Sequence, residues 1–351
     1  MVRPFSFPGI TTRVVFGHGT LSQVGDEVAA LGHERALVLA TPRQAGDAEA
    51  LAEALGTRSA GVFAGAEMHT PVEVTEKAME AFRASGATCL VALGGGSTIG
   101  LAKAIAVRTG ADQVAIPTTY AGSEMFVILG ETEGGRKTTR RDPAIRPETV
   151  IYDVDLTLGL PPAMTVSSAL NAVAHAVEAL YAEDRNPIVE LMAGAALKAI
   201  RDGLPGVVAE PGNREARADV LYGAWLCSAT LGYVSMALHH KLCHTLGGSF
   251  GMPHAETHAI LIPHTTAFNG VAVPELLAPV ADTFGSLAGL WDFAAEVGAP
   301  RALRDLGLAE ADLDRAAEIA VANPYTNPRP FDRDAIRTLL QAAWEGTRPN
   351  D

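Results

Sequence analysis

The chain has 351 residues, of which 48% are hydrophobic and 19% charged, and no apolar run approaches the ~18 residues that a membrane span requires. The sequence therefore predicts a soluble protein, and its length favours two domains over one. Its formal net charge of −13, without a basic stripe that interleaves with aromatic residues, excludes nucleic acid as an expected partner.

The first 160 residues alternate short β-branched runs with amphipathic stretches, a pattern typical of a parallel sheet covered by helices. From Ala163 onward the sequence is rich in Ala and Leu with helical periodicity. We therefore expect an α/β domain over residues 1–160, an all-helical domain over residues 161–351, and an active site in the cleft between them. The predicted strands are Val14–Phe16, Ala36–Ala40, Gly61–Phe63, Cys89–Leu93, Val114–Ile116 and Val150–Tyr152, and the predicted helices of the first domain are Leu21–Leu31, Ala48–Leu55, Val72–Ala84 and Ile99–Val107.

Glycines follow the predicted strand Cys89–Leu93 and precede a predicted helix. Such a loop lets the backbone approach a pyrophosphate, whose charge is met by amides at the helix N-terminus. The segment Ile116–Glu124 supplies hydroxyls at a second strand end, which belongs to the same edge of an open α/β sheet. A tight turn without a ligand is the alternative. The candidate cofactor-binding residues are Thr41, Gly94, Gly95, Gly96, Ser97, Thr118, Thr119 and Ser123.

Histidines recur at helical spacing in the second domain. Asn171 and His175 are four residues apart, as are His240 and His244, and each pair therefore shares a helical face. We expect the second of these helices to end at the paired glycines after Leu246, and His254 to lie in a loop after Pro253. A single histidine among alanines is more often a core residue, but four histidines in this arrangement favour a catalytic cluster.

Together these segments resemble the iron-containing alcohol dehydrogenase family, and specifically its maleylacetate reductase branch. Further motifs that carry the resemblance are Phe16–Gly19, Gly134–Lys137, Leu156–Pro162 and Asn323–Pro330, and they span nearly the whole chain. The resemblance implies a dehydroquinate synthase-like architecture. It further implies a dinucleotide-binding first domain and reduction of a substrate by NADH or NADPH. We expect a cytoplasmic protein that forms a homodimer.

Metal-dependent members of that family hold a cation with one Asp and three His, and the matching positions here are Asn171, His175, His240 and His254. They also carry Asp where this chain has Gly100. Because Asn is a weaker, uncharged ligand, we expect that the enzyme requires no metal. Loss of both carboxylates suits a dianionic substrate, which buried carboxylates would repel.

The reaction implied by the resemblance is reduction of maleylacetate to 3-oxoadipate in the degradation of aromatic compounds. It needs hydrogen-bond donors for the developing enolate and for two substrate carboxylates. The catalytic candidates are His175, His240, His244 and His254, and the substrate-binding candidates are Lys103, Tyr120, Phe126, Lys241 and Tyr325.

Four residues depart from the reductase pattern near the expected pocket, namely Phe126, Val127, Leu129 and Thr326. They leave open a related NAD(P)-dependent reductase or dehydrogenase that acts on another carboxylate, in a biosynthetic or an aromatic-degradation pathway. Two further classes are a dehydroquinate synthase-like lyase, which depends on metal, and a catalytically silent binding protein. The three cysteines are an odd number without C-x-x-C spacing, which does not predict disulfides.

Overall fold

The computed structural model describes residues 4–323 and 325–351, apart from the side chain of Lys137. The chain forms two compact units. We call Pro8–Leu160 the sheet unit, and Pro161–Asp351 together with residues 4–7 the helical unit. The grouping of residues 4–7 differs from the expected domain limits. Its physical reason is an aromatic contact, since the Phe7 and Tyr233 rings lie 4.9 Å apart.

The sheet unit contains one parallel sheet of six strands in the order β1-β8-β5-β4-β2-β3. Every predicted strand and helix of this region is present, and the predicted fold class is confirmed. The strands are β1 (Arg13–Gly17), β2 (Ala36–Leu39), β3 (Ser59–Phe63), β4 (Cys89–Gly94), β5 (Asp112–Pro117), β6 (Ile128–Glu133), β7 (Arg136–Arg141) and β8 (Thr149–Asp153), and the helices are α1 (Val24–Ala30), α2 (Ala45–Leu55), α3 (Val72–Ser85) and α4 (Gly96–Thr109).

The centre of the sheet is buried on both faces, as parallel sheets in α/β proteins are. All residues of β4 and β8 are buried, and α4, whose Ile99 and Ile105 are buried, packs against β4. Because the strands run parallel, the loops after β2, β4 and β5 emerge at one edge.

The hairpin of β6 and β7 was not predicted. Its strands pair antiparallel from Ile128 opposite Arg141 to Glu133 opposite Arg136. The connecting Gly134 and Gly135 both have positive φ, 54° and 78°, as a two-residue hairpin turn requires. The glycine pair was the available signal, but the charged residues of β7 masked the strand pattern.

The helical unit contains no strand among its described residues. Helices α6 and α7 each begin with an asparagine cap, in which Asn186 accepts from Ile188 and Val189, and Asn213 accepts from Ala216. The helices are α5 (Pro162–Tyr181), α6 (Pro187–Ala209), α7 (Arg214–Leu231), α8 (Leu238–Phe250), α9 (His254–Gly270), α10 (Ala278–Phe284), α11 (Gly289–Glu296), α12 (Asp312–Val321) and α13 (Arg333–Glu345).

Two predicted boundaries around α8 were wrong. The helix does not stop at Gly247 but continues to Phe250, and Gly251 ends it with a φ of 67°, the left-handed conformation that glycine adopts without strain. His254 is the first residue of α9 rather than a loop residue, because Pro253 starts that helix as its N-cap. The described residues between α12 and α13 form neither helix nor strand, and Pro324 of that segment lies outside the described residues.

None of the helices described is both long and apolar enough to cross a bilayer. Cys89, Cys227 and Cys243 are all buried and form no disulfide, as expected.

Close packing of α6 on α7 depends on a glycine. A Cβ atom on Gly223 would lie 2.7 Å from Cγ1 of Ile200 and 3.0 Å from the carbonyl oxygen of Ala196. We expect Gly223→Ala to lower the free energy of unfolding by about 1–3 kcal/mol, measured by urea denaturation. Gly194→Ala in α6 is the matched control, because nothing lies within 4 Å of its Cβ position. It should stabilise the protein by up to about 1 kcal/mol. Equal effects of the two substitutions would show that packing at Gly223 does not limit the helix contact.

Candidate active site

The glycine loop joins β4 directly to α4. Gly94 has a φ of 155°, and a Cβ atom there would collide with the side chain of Thr98. A Cβ atom on Gly95 would lie 3.0 Å from Oγ1 of Thr119. The first turn of α4 holds no acidic residue, so its amides form a site suited to an anion.

Hydrogen bonds tie this loop to the ends of the neighbouring strands. Thr41 donates to Oε1 of Gln44 at 3.3 Å, and Nε2 of Gln44 donates to Oγ1 of Thr118 at 3.2 Å. The amide of Thr118 donates to the carbonyl oxygen of Gly94 at 3.2 Å. The ends of β2, β4 and β5 therefore form one polar edge, which brings together the predicted cofactor-binding residues of these three loops. Their arrangement fits the pyrophosphate of a dinucleotide.

Lys103 does not occupy the position expected of a substrate ligand. It is fully buried in α4, and its ammonium group donates to the carbonyl oxygens of Ser123, Phe126 at 2.6 Å and Ile128 at 3.2 Å. Burial lowers the pKa of Lys103 to about 7. Because three carbonyls take its three hydrogens, the expectation that it binds a substrate carboxylate was wrong. Lys103 instead holds the loop that carries Ser123.

Two of the departures from the reductase pattern belong to the core of the sheet unit. Val127 and Leu129 are 4% and 2% exposed and pack against Ala104 and Ile145. They therefore do not reshape a pocket. Phe126 is half-buried with its ring 5.3 Å from the Lys103 ammonium.

Three further substrate-binding candidates, Tyr120, Lys241 and Tyr325, are buried or half-buried. Tyr120 is 1% exposed, so burial leaves little of it to a ligand. Lys241 and Tyr325 are half-buried neighbours, with the ammonium 5.6 Å from the ring centre. Thr326 lines a cavity of about 340 Å³ together with Tyr181.

Gly100 has a steric reason to lack a side chain. A Cβ atom there would lie 2.6 Å from Oγ1 of Thr70, whose own φ is 47°. The threonine hydroxyl takes the space that the aspartate of metal-dependent relatives would need.

Helices α5, α8 and α9 bring the four predicted histidines together with two that were missed. We call this group the imidazole cluster. His175 stacks on His240 at 5.3 Å between ring centres. His175 and His240 are buried, whereas His244 and His254 are exposed. The members are His175, His239, His240, His244, His254 and His258, with neighbouring ring centres 4.4 to 6.0 Å apart.

A buried carboxylate that sequence reasoning missed anchors the cluster. Glu178 of α5 accepts from Nδ1 of His240 at 2.6 Å, from the amide of His239 at 2.8 Å and from the amide of Ala237 at 3.1 Å. The contacts with His240 and His239, together with the Ala237 amide, outweigh the desolvation that burial imposes and lower the pKa of Glu178 to about 2. A signal existed, because Glu178 follows His175 by three residues and shares its helical face.

Burial keeps part of the cluster neutral. Desolvation holds the pKa of His175 and of His258 well below the usual value and lowers that of His239 to about 3. These rings are therefore neutral hydrogen-bonding groups.

The residues at the family's metal positions include no anionic ligand. Asn171 offers only an amide oxygen, which is buried without a hydrogen-bond partner, in place of a carboxylate. Among the described residues, three potential metal ligands lie within 4.8 Å of one another, and they belong to His239, Cys243 and His258. The ligand atoms of His175, His240 and His254 do not form such a group.

The loop held by Lys103 gives a stability prediction. Lys103→Met should lower the free energy of unfolding by about 2–4 kcal/mol, because it leaves three buried carbonyls without a donor. Urea denaturation checks this value. Lys198→Met is the control, since that side chain is 73% exposed and should change stability by less than about 0.5 kcal/mol. An unchanged Lys103→Met protein would mean that the ammonium does not hold the loop.

Comparisons with known proteins agree over both units. Residues 11–154 match the model of the iron-containing alcohol dehydrogenases, and residues 165–344 match the model of the C-terminal part of the Fe-containing alcohol dehydrogenase family. Maleylacetate reductase of Rhizobium sp. (strain MTP-10005) is 59% identical and aligns over 99% of this chain and all of that protein.

Solved structures give the same result. The crystal structure of maleylacetate reductase from Agrobacterium tumefaciens superposes with a TM-score of 0.98 at 59% identity, covering 99% of this chain and 100% of that one. An iron-containing alcohol dehydrogenase from Corynebacterium glutamicum has a TM-score of 0.94 at 40% identity, covering 99% and 98%. The chain therefore belongs to the iron-containing alcohol dehydrogenase family of NAD(P)-dependent oxidoreductases, and its resemblance to the maleylacetate reductase branch is confirmed.

Proposed function

We propose that this protein reduces maleylacetate to 3-oxoadipate with NADH or NADPH, without a metal ion, in the degradation of aromatic compounds. The observation that carries the proposal is the chemistry of the imidazole cluster. The cluster keeps the histidines of the family, and one turn before His175 on α5 the chain has the neutral amide of Asn171 in place of a carboxylate. Such a cluster accepts a dianion that a carboxylate at this position would repel. Full-length identity of 59% to a protein named maleylacetate reductase supports the same substrate.

The proposed cofactor site is the polar edge of the sheet unit. Amides of Gly95, Gly96 and Ser97 at the start of α4 would bind the pyrophosphate, with hydroxyls of Thr118 and Thr119 beside them. When bound there, the dinucleotide would supply the hydride that reduces the alkene carbon β to the substrate ketone. Lys103 acts indirectly, by holding the loop that contains Ser123.

His240 is the proposed proton donor. Its Nδ1 hydrogen points to Glu178, so Nε2 is the nitrogen left for the substrate. Donation from Nε2 requires the imidazolium, and the buried Glu178 carboxylate offsets that positive charge. His240 would thereby stabilise the enolate and complete the reduction by delivering a proton to the neighbouring carbon.

The other histidines of the proposal differ in their surroundings. His175 is buried and neutral, which suits a hydrogen-bonding role. His244 and His254 are exposed, which suits contact with the substrate carboxylates. The predicted homodimer stays a prediction.

One alternative is a reductase of another carboxylate. Thr326 supports it, because it lines a cavity of about 340 Å³ together with Tyr181 and stands where the reductase branch usually has tryptophan. The other alternative is a dehydroquinate synthase-like lyase. Net oxidation of NADH would exclude this alternative, because such a lyase regenerates its cofactor.

The decisive assay follows NADH and NADPH oxidation with maleylacetate before and after exhaustive chelation. We expect turnover with 3-oxoadipate as product, unchanged by chelation, since Asn171 supplies no anionic ligand. Activity that is lost on chelation and restored by one metal would refute the metal-free mechanism. Absence of turnover with maleylacetate, but not with another enone dicarboxylate, would favour the alternative substrate.

Both cofactors should be accepted. The loop after β2 reads Thr41, Pro42, Arg43, and lacks the acidic residue that would grip the ribose 2′-hydroxyl and repel a 2′-phosphate. Values of kcat/KM for NADH and NADPH measure the preference. A preference for NADH above about a hundredfold, roughly 2.7 kcal/mol, would place discrimination at other residues.

Replacing the proposed donor should slow catalysis. We expect His240→Ala, and likewise His244→Ala, to lower kcat by about tenfold to a thousandfold. Glu178→Gln should lower kcat with little change in KM, because its amide oxygen can still accept from Nδ1 of His240, whereas the countercharge and the acceptor for the His239 amide are removed. His33→Ala is the control, because His33 contacts Thr88 and Asp112 in the sheet unit and should keep normal kcat. A raised KM with normal kcat for His240→Ala and His244→Ala would make the cluster a binding feature only.

A further inference from the structure

Three soft or borderline donors lie together between α8 and α9. His239 and Cys243 are one turn apart on α8, and His258 faces them from α9. All three are at most 2% exposed. Nε2 of His239 lies 2.9 Å from Nδ1 of His258 and 3.6 Å from Sγ of Cys243. The proposed reaction uses none of these three side chains directly.

The spacing approaches that of a tetrahedral metal site. Zinc bonds of about 2.0–2.1 Å to nitrogen and about 2.3 Å to sulfur imply edges of roughly 3.4 Å between nitrogens and 3.6 Å between nitrogen and sulfur. The edge between Nε2 of His239 and the sulfur already matches, the ligand atoms of His258 and Cys243 lie within 4.8 Å of one another, and the two imidazoles need to separate by about half an ångström. In the absence of a cation, the same atoms hold one another by hydrogen bonds.

A neighbouring hydroxyl presents His239 as a ligand. Thr265 donates its hydrogen to the carbonyl oxygen of Leu261 at 3.1 Å or of Ile262 at 3.2 Å. Its oxygen is therefore left to accept from Nδ1 of His239 at 3.0 Å, so Nε2 of His239 carries a lone pair. Fixing one ring nitrogen through a second hydrogen bond is the usual way that proteins orient a metal-binding imidazole.

The cluster also contains the anionic donor that the family's iron position lacks. Cys243 becomes a thiolate when a cation displaces its proton, whereas Asn171 stays neutral. Binding through Nδ1 of His258 moves that ring's hydrogen to Nε2. The charge and the softness of the donors therefore favour a thiophilic cation here over one at Asn171.

We propose that His239, Cys243 and His258 form a binding site for a thiophilic divalent cation such as Zn²⁺, distinct from the family's iron position, and that its occupation inhibits the enzyme. Inhibition follows from contact, because the His258 ring lies 4.4 Å from that of His254 and 5.0 Å from that of His240. When His239 and His258 separate to admit a cation, the rings of His240 and His254 shift with them. Only the inhibitory part rests on the proposed function.

Co²⁺ is the direct probe, because a tetrahedral cobalt thiolate has a charge-transfer band in the near ultraviolet. Measuring this band does not depend on enzymatic activity. Since the donors are buried, the cation enters during local opening, and binding is measured after prolonged incubation. We expect the wild-type protein to develop the band with one Co²⁺ and to lose it on addition of Zn²⁺. Cys243→Ala should lack the band and bind Co²⁺ at least a hundredfold more weakly.

Cys227→Ala is the matched control, since Cys227 is an equally buried thiol in α7, and it should keep the band. Cys243→Ser, closer in size, guards against a packing defect, and circular dichroism checks the fold of each variant. Absence of the band in the wild type, or its persistence in folded Cys243→Ala and Cys243→Ser, would overturn the site.

Zn²⁺ inhibition of NAD(P)H oxidation is measured on the same proteins. We expect inhibition of the wild type and Cys227→Ala, and at least tenfold weaker inhibition of Cys243→Ala. Equal inhibition of all three would place the inhibitory cation elsewhere and overturn the inhibitory role. A cobalt band without turnover on maleylacetate would support the cation site and refute the proposed function instead.

Discussion

Burial of one carboxylate organises the helical unit. Glu178 lies within α5, yet it accepts hydrogen bonds from the amides at the start of α8 and from the ring of His240. It therefore caps a helix that has no side-chain cap of its own, and its negative charge meets the positive end of that helix. Burying an isolated carboxylate would cost several kcal/mol, and these contacts offset that cost. The same contacts set which nitrogen of His240 is free to act.

A second buried charge plays the corresponding part in the sheet unit. Lys103 donates to three carbonyls of the loop between β5 and β6, much as Glu178 accepts from the residues around the start of α8. In each unit a charged side chain on a long helix forms hydrogen bonds with main-chain groups of another segment. That segment contains proposed site residues, Ser123 in the sheet unit and His240 in the helical unit. Buried charges that are fully hydrogen-bonded in this way fix a single local conformation.

Neutral groups stand at two positions where metal-dependent relatives carry acidic ones. In the helical unit this position is Asn171, and in the sheet unit it is Gly100, beside which Thr70 fills the space. Two turns after Asn171 on α5, Glu178 keeps a carboxylate that accepts hydrogen bonds and is 0% exposed. Among the buried rings, His239 and His258 form a separate network with Cys243, so that the imidazole cluster joins two different chemistries.

The sequence by itself determined the six strands of the parallel sheet and the four helices α1–α4, the glycine loop, and the helical spacing of Asn171 with His175 and of His240 with His244, but not the β6–β7 hairpin. These features are local, because periodicity and turn residues act within a few positions of the chain. It did not reveal Glu178 against His240, 62 residues away, or the three carbonyls that occupy Lys103. Such contacts depend on which helix faces pack together. A charged residue among apolar neighbours gives the same local sequence pattern whether its side chain contacts solvent, substrate or a buried partner. Only the tertiary structure decided between these possibilities, because the partner that satisfies a buried charge comes from a distant part of the chain.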